Sequence, residues 1–433
     1  MERLWTTDLL KHVGSQVRLA GWLLRRRQLG AISFLIVRDG QGTAQVVIED
    51  PALIEQTAAL HPESVLVIDG LAVHSEQAPG GVELRAEHID VLVEPHEPPP
   101  FDLFRPQIAA QLPTVLDRAP VALRHTKLRA RFRLMAAALK GFRNTLDGLG
   151  FTEIATPKIV ASATESGANV FQLDYFGQPA FLAQSPQFYK QMMVGVLERV
   201  YEVGPVFRAE PHDTPRHLNE YLSLDVEMGF IRDHTSVMAV ATRVIAGMVE
   251  STTSADQVNI MLENRDSLSP PTDIPSIHFA EAMDLIGLAT GEDLSGENDL
   301  APAHERWLGD WARREHGSEF LFVTGYPMAK RPFYTHPDRS RPEYSNSFDL
   351  LFRGLEIVTG GQRLHRYKDY LEALAARGAD AEPYEGYLQA FKHGMPPHGG
   401  FALGVERFIA RLCGISNVRE TTLFPRDLHR LTP

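Results

Sequence analysis

The sequence predicts an α+β protein in two parts. A small N-terminal antiparallel β-barrel of the OB-fold type comes first, followed by a larger domain whose mostly antiparallel sheet is flanked by helices. Three observations carry this expectation. Short segments of alternating apolar and polar residues crowd positions 17–93, a proline-rich break follows at Glu94–Pro100 (EPHEPPP), and beyond it strand-like alternation is interleaved with helical periodicity.

In the first part, VRLAGWLL, ISFLIVRDG, TAQVVIED, SVLVIDGLAV and VELRAEHIDVLV are separated by Gly and Asp turn signals. Strands this short and closely spaced suggest a barrel. EPHEPPP is poor in core formers and reads as a linker. From Leu123 onward, Leu128, Phe132, Met135, Leu139 and Phe142 recur at three-four spacing, which predicts an amphipathic helix with basic residues on its other face. Further helices are expected at about Ser236–Ser251, Pro302–Gly317, Lys368–Gly378 and Phe408–Gly414. Between them, Leu222, Leu224, Val226 and Met228 alternate cleanly, so one strand face is buried and the other polar, as in an antiparallel sheet and not a doubly wound one. The expected division is 1–100 for the barrel, 101–126 for a hinge and 127–433 for the larger domain. There is no internal repeat, Walker loop or dinucleotide fingerprint.

Composition narrows the function. The 433 residues allow two or three units with real cores. No apolar run approaches the roughly 18 residues of a membrane span, and Met1–Leu10 lacks a signal-peptide core, so a soluble, cytoplasmic protein is expected with no membrane partner. The single Cys413 fits a reducing compartment. A net charge of −12 argues against nonspecific nucleic-acid binding but leaves room for local basic surfaces. Two exist: Arg25, Arg26 and Arg27, and the acid-free stretch Arg124–Arg143; either also reads as a solvated face.

Three stretches carry the chemistry. In Arg199–Phe230 (RVYEVGPVFRAEPHDTPRHLNEYLSLDVEMGF), two strands flank a polar loop. The period of two puts Arg208 and Glu210 on one face of the first strand, and Ser223, Asp225 and Glu227 on one face of the second. A hairpin with both signs of charge on one face is a poor core element but a good polar platform. In His398–Gly414 (HGGFALGVERFIARLCG), glycines crowd a strand that runs into a helix opening near Glu406. Backbone can approach a ligand there, and Arg407 stands where an anion is favoured. In Gly148–Val160 (GLGFTEIATPKIV), Pro157 indicates an edge or a bend. Each stretch alone also reads as ordinary structure: a surface hairpin, a glycine turn, a punctuation mark.

In chain order these three resemble motifs 1, 2 and 3 of the class II aminoacyl-tRNA synthetases, with FRAE in motif 2 and ALGVER, where Ala402 replaces a glycine, in motif 3. The likeness is greatest to the short, archaeal-type aspartyl-tRNA synthetases, including MPPHGGF, LFPRD and RLTP. It implies an enzyme that activates L-aspartate with ATP and Mg2+ and loads tRNA(Asp), working as a homodimer. It further implies Arg208 and Arg407 as the catalytic arginines and an ATP site of Arg208, Glu210, Arg216, His217, Tyr221, Glu356, Gly404 and Arg407. Metal ligands would be Glu356 and Thr359. Because an i, i+3 pair does not share one face of a regular strand, a bend near Gly360 is expected. Aspartate would be held by Glu165, Gln187, Lys190, Arg208, Asp225, Thr359 and Arg363, with Lys190 and Arg363 gripping the side-chain carboxylate. In the barrel, Arg27, Phe34 and Gln45 fall where the family reads anticodon bases, although Phe34 also reads as core. The sequence has Leu24 and the loop Glu76–Gly81 where discriminating members carry Trp and Lys, which points to charging of tRNA(Asn) as well. The competing readings are an asparaginyl enzyme and a non-catalytic tRNA-binding paralogue.

Overall fold

The computed structural model describes residues 2–161, 170–255 and 268–433. The chain divides into two compact units, Met1–Leu128 and Arg129–Pro433.

The first unit is a closed barrel. Its strands are β1 (Arg3–Leu4), β2 (Gln16–Leu29), β3 (Ile32–Arg38), β4 (Thr43–Ile48), β5 (Val65–His74) and β6 (Val82–Val93). They run in the order β1-β2-β3-β4-β6-β5, and a further β2–β5 pairing closes β2 to β6 into a ring, with the short β1 paired outside it on β2. Alternation does the sorting: Leu35, Val37, Ala44, Val46, Leu66 and Ile68 fill the interior, while their sequence neighbours face outward. At Gly70, where the β5–β6 register shifts, a Cβ would overlap the Arg85 carbonyl, so the barrel turns its corner on a glycine. Much of the stretch 101–126 is not free chain. Phe101, Leu103 and Ala122 form a small apolar cluster with Leu24 on the outside of the barrel.

The second unit is built on a mixed eight-stranded sheet, β13-β14-β15-β16-β17-β12-β11-β7. These strands are β7 (Thr152–Glu153), β11 (Arg199–Phe207), β12 (Glu220–Gly229), β13 (Ser276–His278), β14 (Phe320–Thr324), β15 (Ser347–Phe352), β16 (Leu355–Gln362) and β17 (His398–Gly404). The interior pairs are antiparallel, as expected from the alternation, but the two edge pairs, β13–β14 and β7–β11, are parallel. Strands β8 (Ile159–Val160), β9 (Gln172–Tyr175) and β10 (Gln178–Leu182) form a separate small sheet. Pro157 lies between β7 and β8, at the bend where the chain leaves one sheet for the other.

One face of the large sheet is covered by Leu134, Ala138, Phe142 and Leu146 of the helix Thr126–Gly148 and by the helix His234–Thr253. The two helices meet at Gly141 and Gly247, where a Cβ on either would overlap the other helix. The helices expected from periodicity are present as His234–Thr253, Pro302–His316, Tyr367–Ala375 and Val405–Cys413. Helices at Gln187–Leu197, Phe279–Thr290 and Glu385–Lys392 were not anticipated, the first because QFYKQMMVGVL is apolar on several sides. Among the described residues, no helix is long and apolar enough to cross a membrane.

Candidate active site

The other face of the sheet carries polar side chains in a row set by strand register. Glu202 lies opposite Asp225, Asp225 opposite Ala402, Ala402 opposite Thr359, and Thr359 opposite Asp349, so five strands contribute to one line. On β17, Phe401 and Leu403 point into the core while Gly400, Ala402 and Gly404 form a low floor on the polar side. A Cβ on Gly400 would overlap the Glu227 carboxylate, so glycine is what admits that buried charge.

Two cations stand on this floor. Lys190, 1% exposed, donates to Asp225 Oδ1 at 2.9 Å and to the Phe401 carbonyl at 3.2 Å, with Glu227 Oε2 3.6 Å away. Arg363 donates from Nε to Glu227 Oε1 and from Nη2 to the Gly400 carbonyl, both at 3.1 Å. An ammonium has three N–H donors and a guanidinium five, so both cations keep donors for a further acceptor. Ser223 Oγ completes the set by donating to Asp225 Oδ2 at 2.5 Å. Asp225 therefore holds Lys190 from beneath and does not itself line the cavity. Gln187 does, and its Nε2 is buried with no hydrogen-bond partner among the described residues.

A second layer braces Lys190. Its neighbour Gln191 donates to Tyr370 Oη at 3.2 Å and accepts from Tyr387 Oη at 2.8 Å, and its amide lies 3.0 Å from His398 Nε2. His398 Nδ1 donates to the Pro396 carbonyl at 3.0 Å, which leaves Nε2 as an acceptor for Gln191 on a neutral ring. Burial lowers the His398 pKa from 6.5 to about 4. Between these values the unfolded chain binds a proton that the folded one refuses, so acid favours unfolding. The stabilisation is complete above pH 6.5 and is lost as pH falls toward 4, amounting to roughly 3 kcal/mol over the interval. Urea unfolding at stepped pH should show this loss in the parent and a flatter profile in His398→Gln.

The outer part of the site departs from the expected strand pattern. β11 ends at Phe207, so Arg208 and Glu210 lie past it, in a loop. The Asn219 side chain holds that loop, donating to the Arg208 carbonyl at 2.7 Å and the Glu210 carbonyl at 3.2 Å. The Arg208 guanidinium sits 5.8 Å from the centre of the Tyr221 ring and 3.9 Å from Glu210. His217 is 3.9 Å from Glu210. Burial, reinforced by Arg407, lowers the His217 pKa. Arg407, at the start of the helix Val405–Cys413, donates to the Glu356 carbonyl at 3.1 Å and lies 3.6 Å from the Glu356 carboxylate.

Glu356 and Thr359 do meet, Thr359 Oγ1 donating to Glu356 Oε1 at 2.9 Å. The cause is not a bend at Gly360. Leu350 pairs with Val358 and Leu351 with Glu356, which leaves Ile357 as an extra residue, and this bulge shifts the alternation by one. Gly360 serves packing instead, since a Cβ there would meet Phe348 and Phe401. Sequence reasoning also missed Asp349, opposite Thr359; the only signal was one charge inside the apolar run SFDLLF. Burial pushes the Asp349 carboxyl up to about 6, with Arg331 pulling the other way and Glu356 adding repulsion. Burial opposes ionisation of Glu356 too, but Arg407, Thr359, Arg331 and Arg208 together hold its pKa below the ordinary value.

A cavity of about 360 Å³ opens on this polar face. Of the residues expected in the site, it brings together Gln187, Lys190, Arg208, Glu210, Arg216, His217, Tyr221, Glu356, Thr359, Arg363, Gly404 and Arg407. Glu165 lies outside the described residues. No group of three His, Cys, Asp or Glu side chains able to hold a metal occurs among the described residues. Two carboxylates and a hydroxyl nevertheless suit a hard cation that takes its remaining ligands from phosphate and water, and the mutual repulsion of Asp349 and Glu356 is what such a cation would relieve. In the barrel, Arg27 is directly opposite Phe34 across β2–β3, and Gln45 is opposite Ile36 across β3–β4. All three lie on the outward face, and Phe34 is half-buried and outside the barrel core. Gln45 Nε2 donates to Glu83 at 3.0 Å.

The fold that carries this site is shared with known proteins. The chain belongs to the tRNA synthetases of class II (D, K and N), whose family model matches residues 112–428, and residues 17–92 match an OB-fold nucleic acid binding domain. It is an aminoacyl-tRNA synthetase of a class that uses ATP and a divalent metal. Among its relatives is the aspartate–tRNA(Asp/Asn) ligase of Thermus thermophilus, 48% identical with all of both chains covered. The aspartate–tRNA(Asp) ligase of Thermococcus kodakarensis is 39% identical, with 97% of each chain covered. A solved asparaginyl-tRNA synthetase of Pyrococcus horikoshii, complexed with asparaginyl-adenylate, aligns over all of both chains with a TM-score of 0.92 and 31% identity.

Proposed function

We propose that this enzyme is an aspartate–tRNA ligase. The observation that carries the reading is the pair Lys190 and Arg363, both buried on the cavity floor with donors to spare. A side-chain carboxylate satisfies both cations, while an amide would leave them poorly paired. An oxygen of the aspartate α-carboxylate attacks the α-phosphorus of ATP, forming aspartyl-adenylate and expelling pyrophosphate. A ribose hydroxyl of the terminal adenosine of tRNA then attacks the carbonyl carbon and releases AMP.

Arg208 binds the α-phosphate and the attacking carboxylate, and Gln187 takes the α-ammonium. Adenine lies between Tyr221 and Arg407, with Glu210 accepting from its amino group and Gly404 allowing close approach. Arg216 and His217 face the outer phosphates. Glu356 and Thr359, with Asp349 as a third oxygen donor, would hold Mg2+, which would neutralise charge on the phosphates. Positioning and positive charge suffice for this chemistry without a protein nucleophile. The protein works as a cytoplasmic homodimer, a setting that fits the single buried Cys413.

The outward face bearing Arg27, Phe34 and Gln45 reads the anticodon. Leu24 is buried in an apolar cluster, and the turn Pro79–Gly81 offers no lysine. Together with the names of the T. thermophilus and Aeropyrum pernix relatives, both aspartate–tRNA(Asp/Asn) ligases, this supports charging of tRNA(Asn) beside tRNA(Asp). Charging assays with the two purified tRNAs test it, and both products are expected. In the same assay Phe34→Ala should weaken charging by about 1–3 kcal/mol, the worth of one stacked base, without slowing pyrophosphate exchange. Unchanged charging would return Phe34 to a structural role.

A further inference from the structure

The helix Pro302–His316 contributes nothing to the cavity wall, yet its Glu305 touches two elements that do. Arg216 Nη2 donates to both Glu305 oxygens at 2.7 Å, and the Glu356 backbone N–H donates to Glu305 Oε2 at 3.0 Å. The carboxylate is 7% exposed, so both bonds are shielded from water. One of its partners is a cation on the cavity wall. The other is the strand residue beside the Ile357 bulge, where regular pairing with β15 is interrupted.

Glu305 is itself held in place. Leu308 and Ala312 of its helix are buried in an apolar cluster, and Gly309 packs so closely on Gly354 that a Cβ would overlap the Gly354 backbone. The helix is thereby seated on the β15–β16 turn, and the Glu305 carboxylate acts as a fixed peg between Arg216 and Glu356.

We propose that Glu305 is a positioning residue for the nucleotide end of the site. One carboxylate sets both the guanidinium that meets the outer phosphates and the bulged strand that presents Glu356 and Thr359, so this half of the site is assembled before ATP arrives. The inference rests on the roles given above to Arg216, Glu356 and Thr359. Without Glu305, the Arg216 side chain regains its rotamers and the Glu356 amide loses its acceptor, and ATP binding must then supply the ordering.

The test is calorimetric titration of ATP with excess Mg2+ into the full chain, without amino acid. Glu305→Ala should raise the ATP Kd about tenfold or more. Glu305→Gln, which keeps an acceptor for the Glu356 amide but loses the charge, should fall between. The Kd for L-aspartate should stay within about twofold, and the Glu305→Ala effect should shrink when Arg216→Ala is already present. Tighter ATP binding by Glu305→Gln would overturn the proposal, because Glu305 would then be withholding Arg216 from the nucleotide. An unchanged ATP Kd, or a parallel loss of ATP and aspartate affinity, would overturn it as well. Since ATP binding is read without amino acid, a parent that binds ATP but activates no aspartate would refute the proposed activity alone.

Discussion

Replacing Arg363 by Leu is expected to cut the efficiency of aspartate-dependent pyrophosphate exchange by on the order of 10⁴-fold, the discrimination that sites demanding one polar partner reach without editing. The substitution removes the guanidinium that would grip the substrate carboxylate. It also strands Glu227, which is fully buried and takes its hydrogen bond from Arg363 Nε. Lys190→Leu should be sharply damaging too, but less so, because it removes a point charge and not a planar fork. Its more informative effect is on choice: with the ammonium gone, an amide leaves one buried cation poorly paired instead of two, so the gap between aspartate and asparagine should narrow. The measurement is exchange with each amino acid for the parent and both variants, with thermal unfolding as a check that the fold survives. If the parent prefers asparagine, or if neither substitution moves the ratio, the aspartate reading gives way to the asparaginyl one. The P. horikoshii asparaginyl enzyme, with its TM-score of 0.92, shows that the scaffold alone cannot decide between them.

Arg407→Ala should lower exchange by on the order of 10²–10³-fold or more, the range seen when one preorganised group facing developing charge is removed. Two losses combine. Under the proposed site, adenine would lose the cation covering it, and Glu356 loses the nearest positive charge holding its carboxylate ionised beside Asp349. tRNA binding should be largely retained, because the face proposed to read the anticodon belongs to the other compact unit. Filter binding of labelled tRNA beside the exchange assay separates the two effects. Equal loss of both would mean that the division of labour between the units is wrong.

Much of this protein was legible because its signals are local. Alternation of Leu222, Leu224, Val226 and Met228 marked β12, glycines crowding a strand that runs into a helix marked β17, and the proline-rich EPHEPPP marked a break in composition. Twelve of the expected site residues line one cavity, since FRAE, ALGVER and GLEIVTGGQR each carry a residue type suited to phosphate, base or metal. Partners were another matter. Arg208 and Glu210 were assigned to a strand that ends at Phe207, because continued alternation cannot reveal where pairing stops.

The sequence by itself determined the kinds of element, their order and the chemical inventory of the site, because propensity, periodicity and side-chain type act within a few residues of chain. The tertiary structure decided which charges meet. Lys190 donates to a carbonyl 211 positions away, Arg363 pairs with Glu227 136 positions away, and Arg216 is held by Glu305 89 positions away. The row from Glu202 to Asp349 exists only through the register of five strands. A single extra residue, Ile357, turns Glu356 and Thr359 to the same side. Register and bulges are set by how whole sheets pack their cores, and a one-residue slip exchanges the faces of a strand, so no local pattern could have specified them.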